Sequence, residues 1–347
     1  MKDTLGVLQE FFGREFIVPV GSGTAGLLLV LDAVDVRGKR VLIPALACAN
    51  VAVAVLAAGG VPTLVDVSKE DYCLSVDEVE AAINDGTGAI IAIDAFGYPA
   101  DLDRISAIAA RHGCTVIEDA CQAYGGRVGE RAMGAVGEVG VVSFGYSKPV
   151  ELVGGGLVIT RSQELHARIL RLKEQSSYDR LRALKNRIAV NLMLRDRYET
   201  MVSWARRVGL LRYDFPSHLW KRLRPAWSAF EREIDPVREQ LSMVANHLAV
   251  CPEVEPFHYP RLGWLPWRYS FKAADADAAD KLTSQLNASG IRTSRLYQPV
   301  DEFLPVEAIG TMEKARRLST RTINLVYRST AADLSRLVTA LERFQQE

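Results

Sequence analysis

The sequence has no CxxC pair, no internal repeat, no low-complexity tract and no excess of one charge, and each absence removes a class of function. Its five cysteines (Cys48, Cys73, Cys114, Cys121 and Cys251) are odd in number and lie mostly in apolar stretches. That is the pattern of buried reduced thiols, not of a disulfide framework or a zinc site, so the cytoplasm and no metal are expected. Lys plus Arg and Asp plus Glu are both 42, so no global field draws the chain to nucleic acid or to a membrane surface. The opening residues, MKDTLGVLQEFFG, have charges and helical apolar spacing but not the uninterrupted apolar core of an export signal. The uncharged run 41–65 is long enough to cross a bilayer, yet Pro44, Asn50, Gly59, Gly60 and Pro62 divide it into strand, helix and strand.

What is present is a globular chain. With 347 residues, 48% hydrophobic and 24% charged, it exceeds what one ordinary core serves, which predicts a large domain with a smaller one attached. Apolar runs at 16–20, 41–45, 63–67, 89–94, 115–119, 139–144 and 157–160 alternate with segments whose apolar residues fall three and four apart. The pattern predicts an α/β fold with helices covering a mostly parallel sheet, and ligands in such sheets bind beyond the carboxyl ends of the strands.

From Arg161 to Arg232 the pattern becomes helical and basic, with 17 Lys or Arg against 7 Asp or Glu. A helix is predicted to start near Pro236 and to link a large domain, 1–235, to a small C-terminal domain, 236–347. The tail reads as strand RYSFKA, helix DAADKLTSQLNASG ending on Gly290, strand IRTSRLY and last helix AADLSRLVTALERFQ.

Four sequence-distant elements fall at predicted strand ends. The first is GSGTAG, Gly21 to Gly26, between a strand and a helix, where backbone amides can surround a phosphate with the Ser22 and Thr24 hydroxyls nearby. By itself this is also a tight turn with a helix cap. The hexapeptide fits the dinucleotide fingerprint G-x-G-x-x-G too, but the acidic residue that should close the second strand is absent from Pro44-Ala45-Leu46-Ala47-Cys48.

The second element is TVIEDACQAYG. Asp119 closes a strand where a carboxylate can keep a pyridine nitrogen protonated, and Gln122 can donate to a phenolic oxygen of the same ring. Glu118 should point to the opposite side of the strand. The third, VVSFGYSKPVELVGGG, puts Ser143 and Lys148 just past an apolar strand, and lysine is the side chain that forms a Schiff base with a cofactor aldehyde. The fourth, PALACANVAV, places Cys48 where a side chain can cover a cofactor ring, although a core cysteine fits as well. Together they predict a pyridoxal 5'-phosphate site.

These residues resemble the DegT/DnrJ/EryC1/StrS family of fold-type-I sugar aminotransferases, through GSGTAGL, IPALACANVAVAVLAAGGVPTLVDV, AFGYPADLDRI, VIEDACQAYGG, SFGYSKPVELVGGG and SGIRTSRLYQP. The resemblance implies Lys148 as the Schiff-base lysine, Asp119 on the pyridine nitrogen, Gln122 on the phenolic oxygen, and Gly23, Thr24, Ala25 and Ser143 at the phosphate. Against the family pattern, Cys48 stands where an aromatic ring usually stacks, Asp94 where a histidine is usual, and Gly154 where a glutamate is usual. The G-x-N-x-R segment that reaches the neighbouring subunit's site is not recognisable between Arg161 and Arg232.

The expectation is therefore an aminotransferase that moves an amino group from glutamate or glutamine to a keto-sugar, nucleotide-linked, acting as a homodimer. Aminotransfer to a cyclitol, dehydration or elimination with the same cofactor, and a non-catalytic cofactor-binding regulator are the alternatives. Family dehydratases carry histidine at the lysine position, which sets Lys148 against that variant. The basic segment suggests a grip on an anionic acceptor through Arg206, Arg207, Arg222 and Arg224, with tryptophans covering a base or sugar. A solvated helical face packed into a dimer explains it equally well.

Overall fold

In the computed structural model the described residues are 2–174 and 214–248, then 254–326 with short gaps, and 336, 339 and 340. Helix α1 (Lys2–Phe12) leads into β1 (Phe16–Val20), α2 (Gly23–Ala33), β2 (Arg40–Pro44), α3 (Ala49–Ala58), β3 (Val61–Val65), α4 (Val76–Ala82) and β4 (Thr87–Ile93). Then come α5 (Leu102–Ala110), β5 (Thr115–Asp119), a short hairpin of β6 (Arg127–Val128) and β7 (Arg131–Ala132), β8 (Val139–Ser143), β9 (Gly156–Thr160) and α6 (Gln163–Glu174). The chain continues through α7 (Trp220–Leu248), β10 (Val254–Pro256), β11 (Arg268–Ala273), α8 (Ala276–Ala288), β12 (Thr293–Ser294), β13 (Glu307–Ala308), α9 (Glu313–Arg321) and β14 (Thr322–Val326).

The eight-stranded sheet runs β1-β9-β8-β5-β4-β2-β3-β13. All neighbours from β8 to β13 are parallel, and β9 lies antiparallel between β1 and β8. The strand order reverses between β2 and β4, so their connections leave in opposite directions and open a crevice at the carboxyl ends. The strand-like runs read from the sequence are these strands. Helices α2 and α3 are buried nearly all round, which is why their sequences lack a polar face. Each has a defined end: Ser22 caps α2 through Ala25 N–H, and α3 stops at Gly59, whose φ of 84° suits glycine.

Three expectations for the later chain change. The helix expected from Pro236 begins at Trp220 and crosses residues 235 and 236 unbroken, with Pro225 and Pro236 inside it. Each internal proline costs about 3 kcal/mol, but Leu223, Trp227 and Phe230 are anchored in a core cluster with Phe12, Tyr124 and Phe144. Trp227 is therefore a core residue, fully buried against Phe11, Tyr124 and Phe230, and is not available to cover a ligand. Only Thr293–Ser294 of IRTSRLY pairs as a strand, while the unforeseen β14 lies inside the order β10-β11-β14-β12. Arg224 pairs with Asp3 at 3.0 Å. Arg206, Arg207 and most of the last predicted helix lie outside the described residues.

The pleat of β5 puts Glu118 and Asp119 on opposite faces. Glu118 is fully buried and accepts from the backbone N–H groups of Gly134 (2.5 Å), Val136 (2.9 Å) and Gly137 (3.0 Å), so it holds the loop before β8. Asp94, also fully buried, accepts from Ala100 N–H through Oδ1 at 2.9 Å, while Oδ2 has no hydrogen bond among the described residues. Burial, and next the Glu118 charge, push Asp94 well above the ordinary carboxylate range. Burial raises Glu118 as well, while its three backbone N–H donors oppose the rise.

A group whose folded pKa is raised stabilises the fold at low pH and loses that contribution as pH climbs from the unfolded value through the folded one. Asp94→Asn, which supplies a neutral donor at every pH, should therefore flatten the fall in urea midpoint between acid and pH 8 and be the more stable form at pH 8. Parallel pH profiles for the two proteins would mean that Asp94 is ionised in the fold.

Candidate active site

The crevice begins at the start of α2. A Cβ on Gly23 would lie 2.9 Å from Ser143 Cβ and 2.9 Å from Cys121 Sγ, so only glycine lets this helix end approach the carboxyl ends of β5 and β8. The first amides of a helix have no intrahelical carbonyl to reach, which leaves those of Gly23 and Thr24 for an anion. Ala25 N–H already donates to Ser22 Oγ at 3.0 Å, so Ser22 acts as the cap and Ala25 supports the cradle from within the helix. Ser143 Oγ lies across it and accepts from Gly145 N–H at 3.2 Å, leaving its own proton to donate.

Asp119 closes β5, nearly buried, and accepts from Cys121 N–H through Oδ1 at 3.0 Å. Among the described residues its second oxygen has no hydrogen bond. Gln122 is oriented by the backbone: its Oε1 accepts from Phe96 N–H at 3.0 Å, which fixes Nε2 as the outward donor. That donor now meets a phenolic oxygen, Tyr297 Oη, at 3.1 Å. Tyr297 stacks on Phe96 at 5.5 Å, and Phe96 stacks on Trp267 at 6.2 Å, so a column of three rings lines the crevice.

Lys148 ends this column, its Nζ 4.8 Å from the centre of the Trp267 ring. The turn that carries it is fixed from both sides. The buried Tyr124 hydroxyl donates to Ser143 O (3.0 Å) and accepts from Val150 N–H (2.9 Å), spanning the turn, while Trp267 Nε1 donates to Ser147 O. Glycine beyond the turn is again required, because a Cβ on Gly156 would lie 2.5 Å from Val142 O. The charges of Asp119 and Lys148 both bear on the thiols of Cys48 and Cys121, so the residues that follow β2, β5 and β8 converge on one small volume.

This donor set, an anion cradle, a strand-end carboxylate, a donor aimed at a phenolic oxygen and a lysine on a clamped turn, fits pyridoxal phosphate residue by residue. The sequence model of the DegT/DnrJ/EryC1/StrS aminotransferase family matches residues 6–202. The chain belongs to this family. The L-glutamine:2-deoxy-scyllo-inosose aminotransferase of Streptoalloteichus tenebrarius is 40% identical over 48% of the chain and 41% of its own length. A UDP-N-acetyl-3-dehydro-alpha-D-glucosamine 3-aminotransferase of Acidithiobacillus ferrooxidans is 37% identical over 46% of the chain and 44% of its own length. The matched region is thus under half of each of these curated relatives. A crystal structure of a DegT DnrJ EryC1 StrS aminotransferase from Brucella abortus superposes with a TM-score of 0.80 at 23% identity, covering 100% of this chain and 90% of that one. The fold-type-I architecture expected from the sequence is the one observed.

In this family member the site residues expected from the sequence come together, and others join them that the sequence did not reveal. Tyr124 and Tyr297 lie inside quoted motifs, but nothing in their spacing gave their partners. Trp267 and Arg268 had no signal at all, since they reach the crevice only through β11. Among the described residues there is no cluster fit for a metal ion and no helix long and apolar enough to cross a membrane.

Cys48 precedes α3, makes no side-chain cap and is exposed. Burial raises the thiol pKa and Lys148 partly opposes this. Cys73 and Cys121 are buried and raised well above the ordinary value. In the folded protein iodoacetamide should alkylate Cys48 before Cys73, Cys114 and Cys121, at a rate still climbing above pH 9, as peptide mapping would read. Labelling of Cys121 ahead of Cys48 would place the opening elsewhere.

Proposed function

We propose that the chain is a pyridoxal-phosphate-dependent aminotransferase that moves the amino group of glutamine or glutamate to the ketone of a sugar or cyclitol. The observation that carries this reading is the convergence of Lys148, Asp119, Gln122 and the α2 cradle on one crevice. Bound pyridoxal phosphate would supply an aldehyde for attachment to Lys148 and a ring that accepts electrons from the donor's α-carbon.

The chain's own residues supply the rest. The Gly23 and Thr24 amides and the Ser143 hydroxyl would hold the phosphate, and Gln122 Nε2, which here donates to Tyr297 Oη, would donate to the phenolic oxygen. Asp119 would keep a proton on the ring nitrogen. Lys148 Nζ would hold the cofactor aldehyde and, once free, would move the proton at the donor's α-carbon, and amination of the ketone acceptor would use the same residues in reverse. The aromatic column and the clamped turn position the lysine amine at the crevice.

The acceptor is a keto-sugar, nucleotide-linked in the first reading; the inosose relative favours an unphosphorylated cyclitol as the second. A homodimer is part of the proposal, supported by Tyr146 (71% exposed) and Val153 (52% exposed), apolar residues flanking the Lys148 turn. A reducing cytoplasm agrees with four unpaired cysteines among the described residues.

The purified protein should be yellow, lose its visible band on borohydride reduction, and carry the reduced adduct on the Lys148 peptide. Pyridoxal phosphate should also protect Cys48 from alkylation. An adduct on another lysine would sink the assignment. Asp119→Asn should retain cofactor while multiple turnover of glutamine against an added keto-sugar or inosose falls by roughly 100-fold or more. Turnover within a few-fold of wild type would reduce Asp119 to a cap for Cys121 N–H. Inhibition by nucleoside diphosphates, weakening with salt, separates the nucleotide-linked acceptor from the cyclitol.

A further inference from the structure

Gln122 is aimed by a residue whose backbone is in a conformation that aromatic side chains rarely adopt. Phe96 has φ 55° and ψ 13°, in the left-handed region, and is fully buried. A bulky residue stays there only where its surroundings impose it. Here both backbone polar groups and the ring are held. The N–H donates to Gln122 Oε1 at 3.0 Å, and the carbonyl accepts from Trp267 N–H at 2.9 Å. The ring stacks on Tyr297 at 5.5 Å and on Trp267 at 6.2 Å, and meets Tyr72 edge-on at 5.1 Å.

Resting on the cofactor site proposed above, we propose that Phe96 is a positioning residue whose left-handed backbone sets the Gln122 donor and the indole beside Lys148 in one frame. An amide side chain turned end for end exchanges donor for acceptor, and the Phe96 N–H accepts only its oxygen end. Moving φ into the ordinary negative range would turn one peptide group of Phe96 by about 100° or more against the other, so the bonds to Gln122 and Trp267 could not both survive. Trp267 immediately precedes β11 and lies 4.8 Å from Lys148 Nζ, so the attachment of β11 and the aim of Gln122 are fixed at the same point. Phe96 itself touches no reacting atom and acts through Gln122. A donor on the phenolic oxygen stabilises its negative charge without the proton it shares with Lys148 Nζ. Losing the donor therefore raises the pH at which that proton leaves and the visible band changes. Cys48, Asp119, Arg268 and Cys121 bear electrostatically on Tyr297 at this contact, and all are the same in each variant below.

The test titrates the visible band of the cofactor-loaded protein against pH. Gln122→Ala should raise its midpoint by about one to two pH units, the worth of a hydrogen bond to a charged group. Phe96→Val, whose branched side chain resists positive φ, should reproduce that shift. Phe96→Gly, which takes up positive φ freely, should stay near the wild-type midpoint although it removes more of the side chain. A role in packing alone would order the two by lost volume, with glycine the worse; that order, or a wild-type midpoint in Phe96→Val, overturns the proposal. The double variant Phe96→Val with Gln122→Ala should shift no further than Gln122→Ala, since both act through one bond, and additive shifts overturn it too. Where Phe96→Val takes up no cofactor, Phe96→Ala is compared with Phe96→Gly, a pair differing by one methyl group. If neither Val nor Ala at this position holds a band while Gln122→Ala does, Phe96 supports the fold and not the donor, and the proposal falls. A band unmoved by Gln122→Ala overturns the phenolic-oxygen assignment, a wild-type protein with no band on Lys148 overturns the cofactor reading, and this inference goes with either.

Discussion

The hydroxyl of Tyr124 holds both ends of the Lys148 turn at once, giving its proton to Ser143 O and receiving one from Val150 N–H, and the geometry of the crevice depends on that clamp. Being fully buried, it can exchange neither partner for water, and loss of a buried partner costs about 1–3 kcal/mol. Its ring is held in turn by Phe144, Trp227 and Phe230, which links the turn to α7 and, through Phe11 and Phe12, to α1. The position of the lysine is thus set by an aromatic core on the far side of β8.

A second constraint acts through β5. Glu118 organises the loop before β8 by accepting three backbone donors, and the neighbouring Asp119 faces the crevice. One residue of register separates a structural carboxylate from a chemical one, because successive side chains on a strand take opposite faces. The tail closes the same crevice from the other side: β13 adds to the main sheet beside β3, and Asp66 at the end of β3 accepts from Lys314 and Ala315 N–H at the start of α9. Trp267, Arg268 and Tyr297 are carried into the crevice by that attachment.

Much of the first 160 residues was legible because each strand is a short apolar run bounded by glycine, proline or a polar turn, and because the residues bearing chemistry sit immediately after such runs. Glu118 and Asp119 were separable by parity alone. The later chain was less legible for physical reasons. Pro225 and Pro236 argue locally against a continuous helix, and only the burial of Leu223, Trp227 and Phe230 overrides them. TINLV has too little alternation to announce a strand, and it becomes one because β11 and β12 pair on either side of it.

The sequence by itself determined the alternation of strands and helices, the glycine-opened helix end at Gly23, and the placement of Cys48, Asp119, Gln122 and Lys148 at strand ends, because these follow from local periodicity and chain order. Only the tertiary structure decided that Gln122 presents its nitrogen outward and that the Tyr124 hydroxyl spans the Lys148 turn. It alone also decided that a ring column ends on Lys148 with Arg268 beside it. Each of these is a contact between residues far apart in the chain, fixed by which side chains the sheet and the tail bring within hydrogen-bonding distance, and no local pattern encodes such a pairing.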